Sequence, residues 1–118
     1  MTTTDNRDGG APPASFVLGL TQDSDYLPIL TGPPQTAGMR SGRVRLEPGR
    51  RCGRHSTGAH EETLVILEGS GWVELEGRRA LELAAPAAVY IPPRTEHDVV
   101  AGGPEPLTYV YVVAPIQS

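Results

Sequence analysis

The chain has 118 residues, a length typical of one domain, and its net charge of −4 argues against nucleic acid or an anionic membrane as a partner. All ten basic residues are arginines, which excludes Schiff-base chemistry on a lysine of the protein. Cys52 is the single cysteine, so no disulfide can form within the chain. No apolar run is long enough to span a bilayer or to act as a secretory leader, and we expect a cytoplasmic protein.

The N-terminal third of the sequence carries few regular patterns. Residues 1–14 are polar and rich in Gly and Pro, so we expect a disordered arm there, followed by one domain over residues 15–118. Residues 15–20 predict a first strand, which pairs within the chain or with a second subunit. Residues 21–38 contain three prolines and two glycines and predict an irregular wrap.

From residue 40 onward, short apolar runs alternate with turn signals, and the Gly and Pro residues of this region fall between the runs. Residues 63–67 form a continuous apolar run, which predicts a strand buried on both faces. Other strands are predicted at 43–47, 72–76, 80–83, 88–91, 98–101 and 107–113. About seven or eight short strands at this spacing indicate an all-β fold, either an antiparallel sandwich or a barrel.

The three histidines of the chain and one glutamate form a candidate metal site. His55 and His60 lie close to Glu62 in the sequence, and His97 follows a Pro-Pro turn between two predicted strands. Burying Glu62 without a partner would cost on the order of several kcal/mol, and a metal ion removes that cost. Imidazole and carboxylate ligands suit Zn, Fe, Mn, Ni, Co or Cu, so we predict one divalent transition-metal ion. The alternative is three histidines that are simply exposed or hydrogen-bonded.

One segment of the chain resembles the first motif of the cupins. It reads Gly49-x5-His55-x-Thr57-x4-Glu62-x6-Gly69, where the family pattern has Gly, five residues, His-x-His, three or four residues, Glu, six residues and Gly. The resemblance implies an antiparallel double-stranded β-helix, which is the small jelly-roll barrel of this family. It also implies that His55 and Glu62 are metal ligands.

A second segment, Pro92-x-Arg94-x2-His97, resembles the second cupin motif and implies that His97 is a further ligand. The similarity extends from about residue 42 to residue 115. The distance between the two motifs, which one hairpin fills, also fits the family. The resemblance therefore covers most of the predicted domain.

The chain departs from the family pattern at Thr57, which replaces the second histidine of His-x-His and removes one ligand. Either His60 supplies the missing imidazole, or the ion keeps two histidines and one glutamate with more positions open to water or substrate. Strand parity favours the first arrangement, because His60 and Glu62 are two residues apart and share a face. An empty site is a third possibility. Three other positions, which lie in turns or next to the ligands, also depart from the pattern: Pro86, Arg94 and Ala101.

Cupins catalyse many reactions, so the resemblance leaves the substrate open. We expect a metal-dependent enzyme that acts on a small organic molecule inside the barrel, of the dioxygenase, isomerase, cyclase or decarboxylase type. The alternatives are a non-catalytic metal- or ligand-binding module and a structural cupin that has lost its metal. Arg94, Thr57 and Tyr90 are possible substrate contacts, whereas the arginines between residues 40 and 54 are expected on a solvated strand face.

The resemblance also implies a homodimer, because small cupins often exchange N-terminal strands between subunits. The segment Phe16–Leu20 is the candidate for this exchange. Additional apolar contacts are expected from Tyr26, Leu27, Ile29 and Leu30. The expected partners are therefore a second copy of the chain and a small-molecule ligand, with no nucleic acid and no membrane.

Overall fold

The computed structural model describes residues 12–117 and contains nine strands, slightly more than the patterns predicted. The strands are β1 (Tyr26–Thr31), β2 (Arg40–Leu46), β3 (His55–Ser56), β4 (His60–Glu68), β5 (Ser70–Leu75), β6 (Arg78–Ala84), β7 (Ala87–Ile91), β8 (Glu96–Ala101) and β9 (Leu107–Pro115). Within the described range there is no helix that is long and apolar enough to cross a membrane. A cytoplasmic location stays a prediction.

The strands form two antiparallel sheets that enclose one core. The five-stranded sheet has the order β1-β2-β9-β4-β7, and the four-stranded sheet has the order β3-β8-β5-β6. Apart from the pairs β1-β2 and β5-β6, strands that are neighbours in a sheet come from distant parts of the sequence, as in a double-stranded β-helix. The predicted all-β jelly-roll barrel is thus confirmed. The core between the sheets consists of Leu64, Ile66, Val73, Leu83, Ile91, Val99, Ala101, Leu107 and Tyr109.

Strand β4 determines which side chains of the first motif enter the barrel. Its even-numbered residues Glu62, Leu64 and Ile66 are buried, whereas Val65 and Leu67 are 40% and 47% exposed. The prediction of a strand buried on both faces is therefore wrong, because the outer face of this antiparallel sheet meets solvent in a single chain. The alternation directs the Glu62 carboxylate into the barrel interior.

The N-terminal region also differs from its prediction. Residues 15–20 form no strand, and β1 lies within the segment 21–38 that was expected to be an irregular wrap. β1 tolerates Pro28 because it lies at the edge of its sheet, where a missing backbone N–H is least costly. The expected disordered arm falls mostly on residues 1–11, which lie outside the described residues, so the domain boundaries stay a prediction.

Candidate metal centre

Three strands bring two histidines and a glutamate together inside the barrel. His55 on β3 and His97 on β8 are register partners, and their ring centroids lie 4.3 Å apart. Glu62 comes from the opposite sheet, and its Oε1 lies 2.9 Å from Nε2 of His97. One potential ligand atom of each residue lies within 4.8 Å of the other two. These residues, here called the His-Glu-His group, can hold a metal ion and comprise three of the four predicted ligands.

Backbone carbonyls fix the orientation of both imidazoles. Nδ1 of His55 lies 2.7 Å from the carbonyl oxygen of Gly53, and Nδ1 of His97 lies 3.0 Å from that of Thr95. A carbonyl only accepts hydrogen bonds, so each Nδ1 carries a proton and Nε2 is the nitrogen that a metal ion would bind. Metal-ligating histidines usually have this arrangement. The donor set therefore fits a divalent transition metal.

The buried carboxylate of Glu62 favours a positive charge beside it. Glu62 is 7% exposed and His97 is 2% exposed. Burial lowers the pKa of His97, but hydrogen bonds to Glu62 and to the carbonyl of Thr95 outweigh this effect, so the pKa is raised. The same field that favours a proton on His97 favours a cation between the two side chains.

Asp98 fixes the loop that leads to His55. Its side chain is only 3% exposed. One carboxylate oxygen accepts a hydrogen bond from the backbone N–H of Gly53 at 2.9 Å, and the other accepts one from Nη1 of Arg51 at 2.8 Å. The carbonyl of Gly53 accepts the hydrogen bond from His55. Gly53 therefore links the buried carboxylate of Asp98 to the imidazole of His55.

Thr57 links two loops beside the site. Its hydroxyl donates to the carbonyl oxygen of Pro92 at 2.7 Å and accepts from the backbone N–H of Thr95 at 3.0 Å. The residue that replaces the second histidine of the family pattern thus joins the segment before β4 to the turn before β8. Thr57 also lines the central cavity, so its role as a substrate contact stays a prediction.

His60 lines the same cavity as the His-Glu-His group but does not belong to that group. It precedes Glu62 by two residues on β4, and both side chains contribute to the cavity wall, as strand parity predicted. Its role as the fourth ligand stays a prediction.

The structure places two predicted substrate contacts, Tyr90 and Arg94, away from the cavity. Tyr90 is 59% exposed, because its parity on β7 directs it outward, and its hydroxyl donates to Glu61 at 2.8 Å. Arg94 is exposed in a turn, with a φ of 54°, and its backbone N–H donates to the carbonyl of Gly58. This left-handed conformation explains why the family pattern has glycine at the position of Arg94.

The His-Glu-His group faces a cavity of about 610 Å³. Most of the cavity wall is apolar, and the group is its main polar feature on the β4 and β8 side. The apolar side chains of the wall are Val44, Leu46, Leu64, Val99 and Val113. A cavity of this size and polarity is typical of a site for a small organic molecule.

Sequence patterns did not identify Arg40 and Tyr26 as residues of this cavity. Arg40 was expected on a solvated face and Tyr26 in a dimer contact. Arg45 and Arg54 do form ion pairs with surface carboxylates, as expected for the cluster. Arg40 is exposed, as expected, but it also lines the cavity because it shares the parity of Val44 and Leu46 on β2, and Gly42 interrupts the apolar alternation that would have revealed this face.

Comparison with known proteins identifies the family. The family model described as Cupin domain matches residues 42–113. A search of curated protein sequences finds no significant match. A cupin protein from Bacteroides fragilis is 22% identical, with a TM-score of 0.71 over 87% of this chain and 86% of that chain. A Cupin 2 conserved barrel domain protein from Salinispora arenicola is 20% identical, with a TM-score of 0.68 over 86% and 89%.

A predicted oxalate decarboxylase from Thermotoga maritima is 17% identical, with a TM-score of 0.61 over 80% of this chain and 97% of that chain. At these identities the likeness shows a shared fold. The family match over residues 42–113 spans both motifs and eight of the nine strands in whole or in part. The chain therefore belongs to the cupin family.

Proposed function

We propose that this cupin holds one divalent transition-metal ion at His55, Glu62 and His97 and is an enzyme for a small organic molecule. The supporting observation is that three ligand atoms, all within 4.8 Å of one another, converge on a cavity of about 610 Å³. Three protein ligands leave coordination positions for a substrate, unlike a closed structural site. A bound Zn, Fe, Mn, Ni, Co or Cu ion would supply Lewis-acid or redox chemistry, which includes the dioxygenase, isomerase, cyclase and decarboxylase types.

The protein's own side chains orient the substrate and exclude water. The apolar wall favours an apolar substrate body and displaces water from around the reacting atoms. His60 is the one imidazole of the cavity outside the His-Glu-His group, and it can complete the ligand set or exchange a proton with the substrate. Burial raises the pKa of Cys52 and of Tyr109, so both stay protonated at neutral pH and do not act as bases.

A non-catalytic metal- or ligand-binding module is the second candidate function. Among the described residues that line the cavity, Glu62 is the single carboxylate, and it already belongs to the His-Glu-His group. A general base separate from the ligands would therefore have to be His60. If His60 is a fourth ligand, the cavity has no such base, and the binding module becomes the better description.

Metal analysis of the full-length protein, purified without added metal, tests the proposal. We expect about one equivalent of metal per wild-type chain and a strong loss in Glu62→Gln, which removes the ligand charge but keeps the side-chain shape. His60→Ala should lose metal if His60 is a ligand, and should keep it if His60 serves as acid or base. A wild-type protein that carries no metal and binds none on titration would refute the metal site.

We also propose that the chain forms a homodimer. The segment 16–20 presents apolar side chains to solvent, with Phe16 48% and Val17 97% exposed. The outer face of β4 exposes Val65 and Leu67 in the same way. Exchange of this segment between two copies would cover both apolar surfaces. Light scattering at micromolar concentration should give the mass of a dimer, and a monomer mass would contradict the proposal.

A further inference from the structure

We propose that the cavity binds a small apolar monocarboxylate and that Arg40, Tyr26 and Tyr111 receive its carboxylate. These three residues, here called the anion subsite, all line the cavity into which the His-Glu-His group projects. The inference names a substrate class for the proposed metal site and in that sense rests on the proposed function. Its physical basis is separate, because none of the three residues belongs to the metal-binding group.

Arg40 lies on the same side of the five-stranded sheet as Glu62. It is the register partner of Val113 on β9, which in turn is the register partner of Glu62 on β4. Adjacent strands lie about 4.8 Å apart, so the backbones of Arg40 and Glu62 are about 10 Å apart. Both side chains line the cavity, so a ligand bound at the guanidinium lies in the same cavity as the His-Glu-His group.

The Arg40 guanidinium has hydrogen-bond donors available for a ligand. Its Nη1 donates to the carbonyl oxygen of Thr31 at 2.7 Å. Within residues 12–117, no carboxylate lies within salt-bridge distance of Arg40, whereas Arg45 and Arg51 each contact two carboxylates. A guanidinium carries five N–H donors in a planar fork that matches a carboxylate. Arg40 is therefore the cationic side chain of the cavity that is best placed to bind an anion.

Tyr26 and Tyr111 add phenol hydroxyls to the anion subsite. Their hydroxyl oxygens lie 2.5 Å apart, and their rings stack with an interplanar angle of 12°. One hydroxyl donates to the other, so one O–H of the pair remains for a ligand. Gly42 makes room for both rings, because a Cβ there would lie 2.9 Å from the Tyr111 ring and 3.0 Å from the Tyr26 hydroxyl.

The phenol of Tyr111 acts as a donor and not as a base. Burial raises its pKa, the hydrogen bond to Tyr26 raises it further, and the positive charge of Arg40 only partly opposes this rise. The hydroxyl therefore stays protonated at neutral pH. A guanidinium and a protonated phenol that line the same cavity both donate hydrogen bonds, and an oxyanion is the group that accepts from both.

The arginines of the cavity wall favour a monocarboxylate over a phosphate at the anion subsite. Arg51 also lines the cavity, but Glu74 and Asp98 already neutralise it. Among residues 12–117, Arg40 is thus the arginine of the cavity wall without a carboxylate partner, and it matches one negative charge of a ligand. The apolar side chains of the wall suit an aromatic or aliphatic body attached to the carboxylate.

Phenylacetate and phenylacetamide test the anion subsite, because they share an apolar body and differ in the charge of the terminal group. We expect wild-type protein to bind phenylacetate at least about tenfold more tightly than phenylacetamide by calorimetry, with and without added Zn²⁺. Arg40→Gln should remove this preference. Arg43→Gln is the matched control, because Arg43 lies on the same strand but contacts the carbonyls of Leu20 and Gln22. Its preference for phenylacetate should equal that of the wild type.

Three results would overturn the inference: equal affinity for acid and amide, no phenylacetate binding at millimolar concentration, or equal loss in both arginine variants. A preference that appears only with Zn²⁺ and survives in Arg40→Gln would also overturn it, since the carboxylate would then bind the metal. Zinc titration of wild type and Arg40→Gln separates the two proposals. If zinc binds but the preference does not depend on Arg40, the subsite alone fails. If zinc does not bind but the preference does depend on Arg40, the metal site alone fails.

Discussion

Substitution of Asp98 tests whether this buried carboxylate organises the metal site. The carboxylate accepts hydrogen bonds from Gly53 and Arg51, and the Asp98 side chain is 3% exposed. The N–H of Gly53 loses its partner in Asp98→Ala, whereas Arg51 is 52% exposed and keeps its contact to Glu74, so we expect Asp98→Ala to lower the free energy of unfolding by about 1–3 kcal/mol. Asp98→Asn keeps an oxygen for Gly53 and directs an NH₂ group at the exposed Arg51, so it should destabilise the protein less than Asp98→Ala.

The two substitutions of Asp98 should differ in their effect on metal binding. The carbonyl of Gly53 holds the imidazole of His55, and Asp98 holds the N–H of Gly53. Loss of a partner that orients a ligand typically weakens metal binding about tenfold to a hundredfold, and we expect this for Asp98→Ala. Asp98→Asn retains the contact to Gly53 and should therefore bind Zn²⁺ nearly as well as the wild type.

Urea denaturation of the metal-free variants measures stability, and competition with a chelator measures Zn²⁺ affinity. Glu82→Ala is the control, because Glu82 pairs with Arg79 on an exposed strand surface and should change neither quantity measurably. The reasoning is refuted if Asp98→Ala loses stability as expected but binds Zn²⁺ as tightly as the wild type. Asp98 would then support the fold without positioning His55.

Three further predictions concern other parts of the barrel. Gly42→Ala places a Cβ 2.9 Å from the Tyr111 ring, and it should abolish the phenylacetate preference in calorimetry while Zn²⁺ affinity is unchanged. Leu67→Glu adds a charge to an outer-face position that is 47% exposed, and it should convert the proposed dimer to a folded monomer in light scattering. Hydrogen bonding to Arg51 lowers the pKa of Glu74. The contribution of this pair to the free energy of unfolding is therefore fully present above about pH 4.3, and it is lost as the pH falls through the lowered pKa. The stability difference between wild type and Glu74→Gln should therefore be constant near neutral pH and shrink in acid, as urea midpoints measured against pH would show.

The barrel itself was predictable because its strands leave strong local patterns. Turn residues separate the runs that become β4, β5, β8 and β9, and the spacing of the two motifs indicated the family. Strand β1 escaped prediction because Pro28 is a strong signal against a strand, and only its edge position in the sheet makes it acceptable. The sequence did not show which face of β4 points into the barrel, because Val65 and Leu67 are as apolar as the residues that face the core.

The His-Glu-His group and the proposed anion subsite differ in how clearly the sequence indicates them. His55, Glu62 and His97 belong to chemically rare residue types at characteristic spacings, so the sequence alone indicated them. Arg40 belongs to a run of arginines, and nothing in the local sequence distinguishes it from Arg43 or Arg45, which do not line the cavity. Arg40 lines the cavity because of its parity on β2, on the other side of Gly42 from the apolar residues, and because of its register with β9. Both depend on long-range strand pairing that no local pattern encodes.

The departure at Thr57 and the open side of the metal-binding group have one physical explanation. The hydroxyl of Thr57 holds Pro92 and Thr95 together, so this position serves the fold where the family pattern has a ligand. With that ligand absent, the His-Glu-His group would offer fewer protein atoms to an ion. More of the ion's coordination sphere would then face the cavity. His60 and the substrate are the two groups that can fill the vacated side. If a carboxylate binds at Arg40 as proposed, the rest of the acid would lie in the cavity that the His-Glu-His group faces, and the loss of one histidine would leave room for it there.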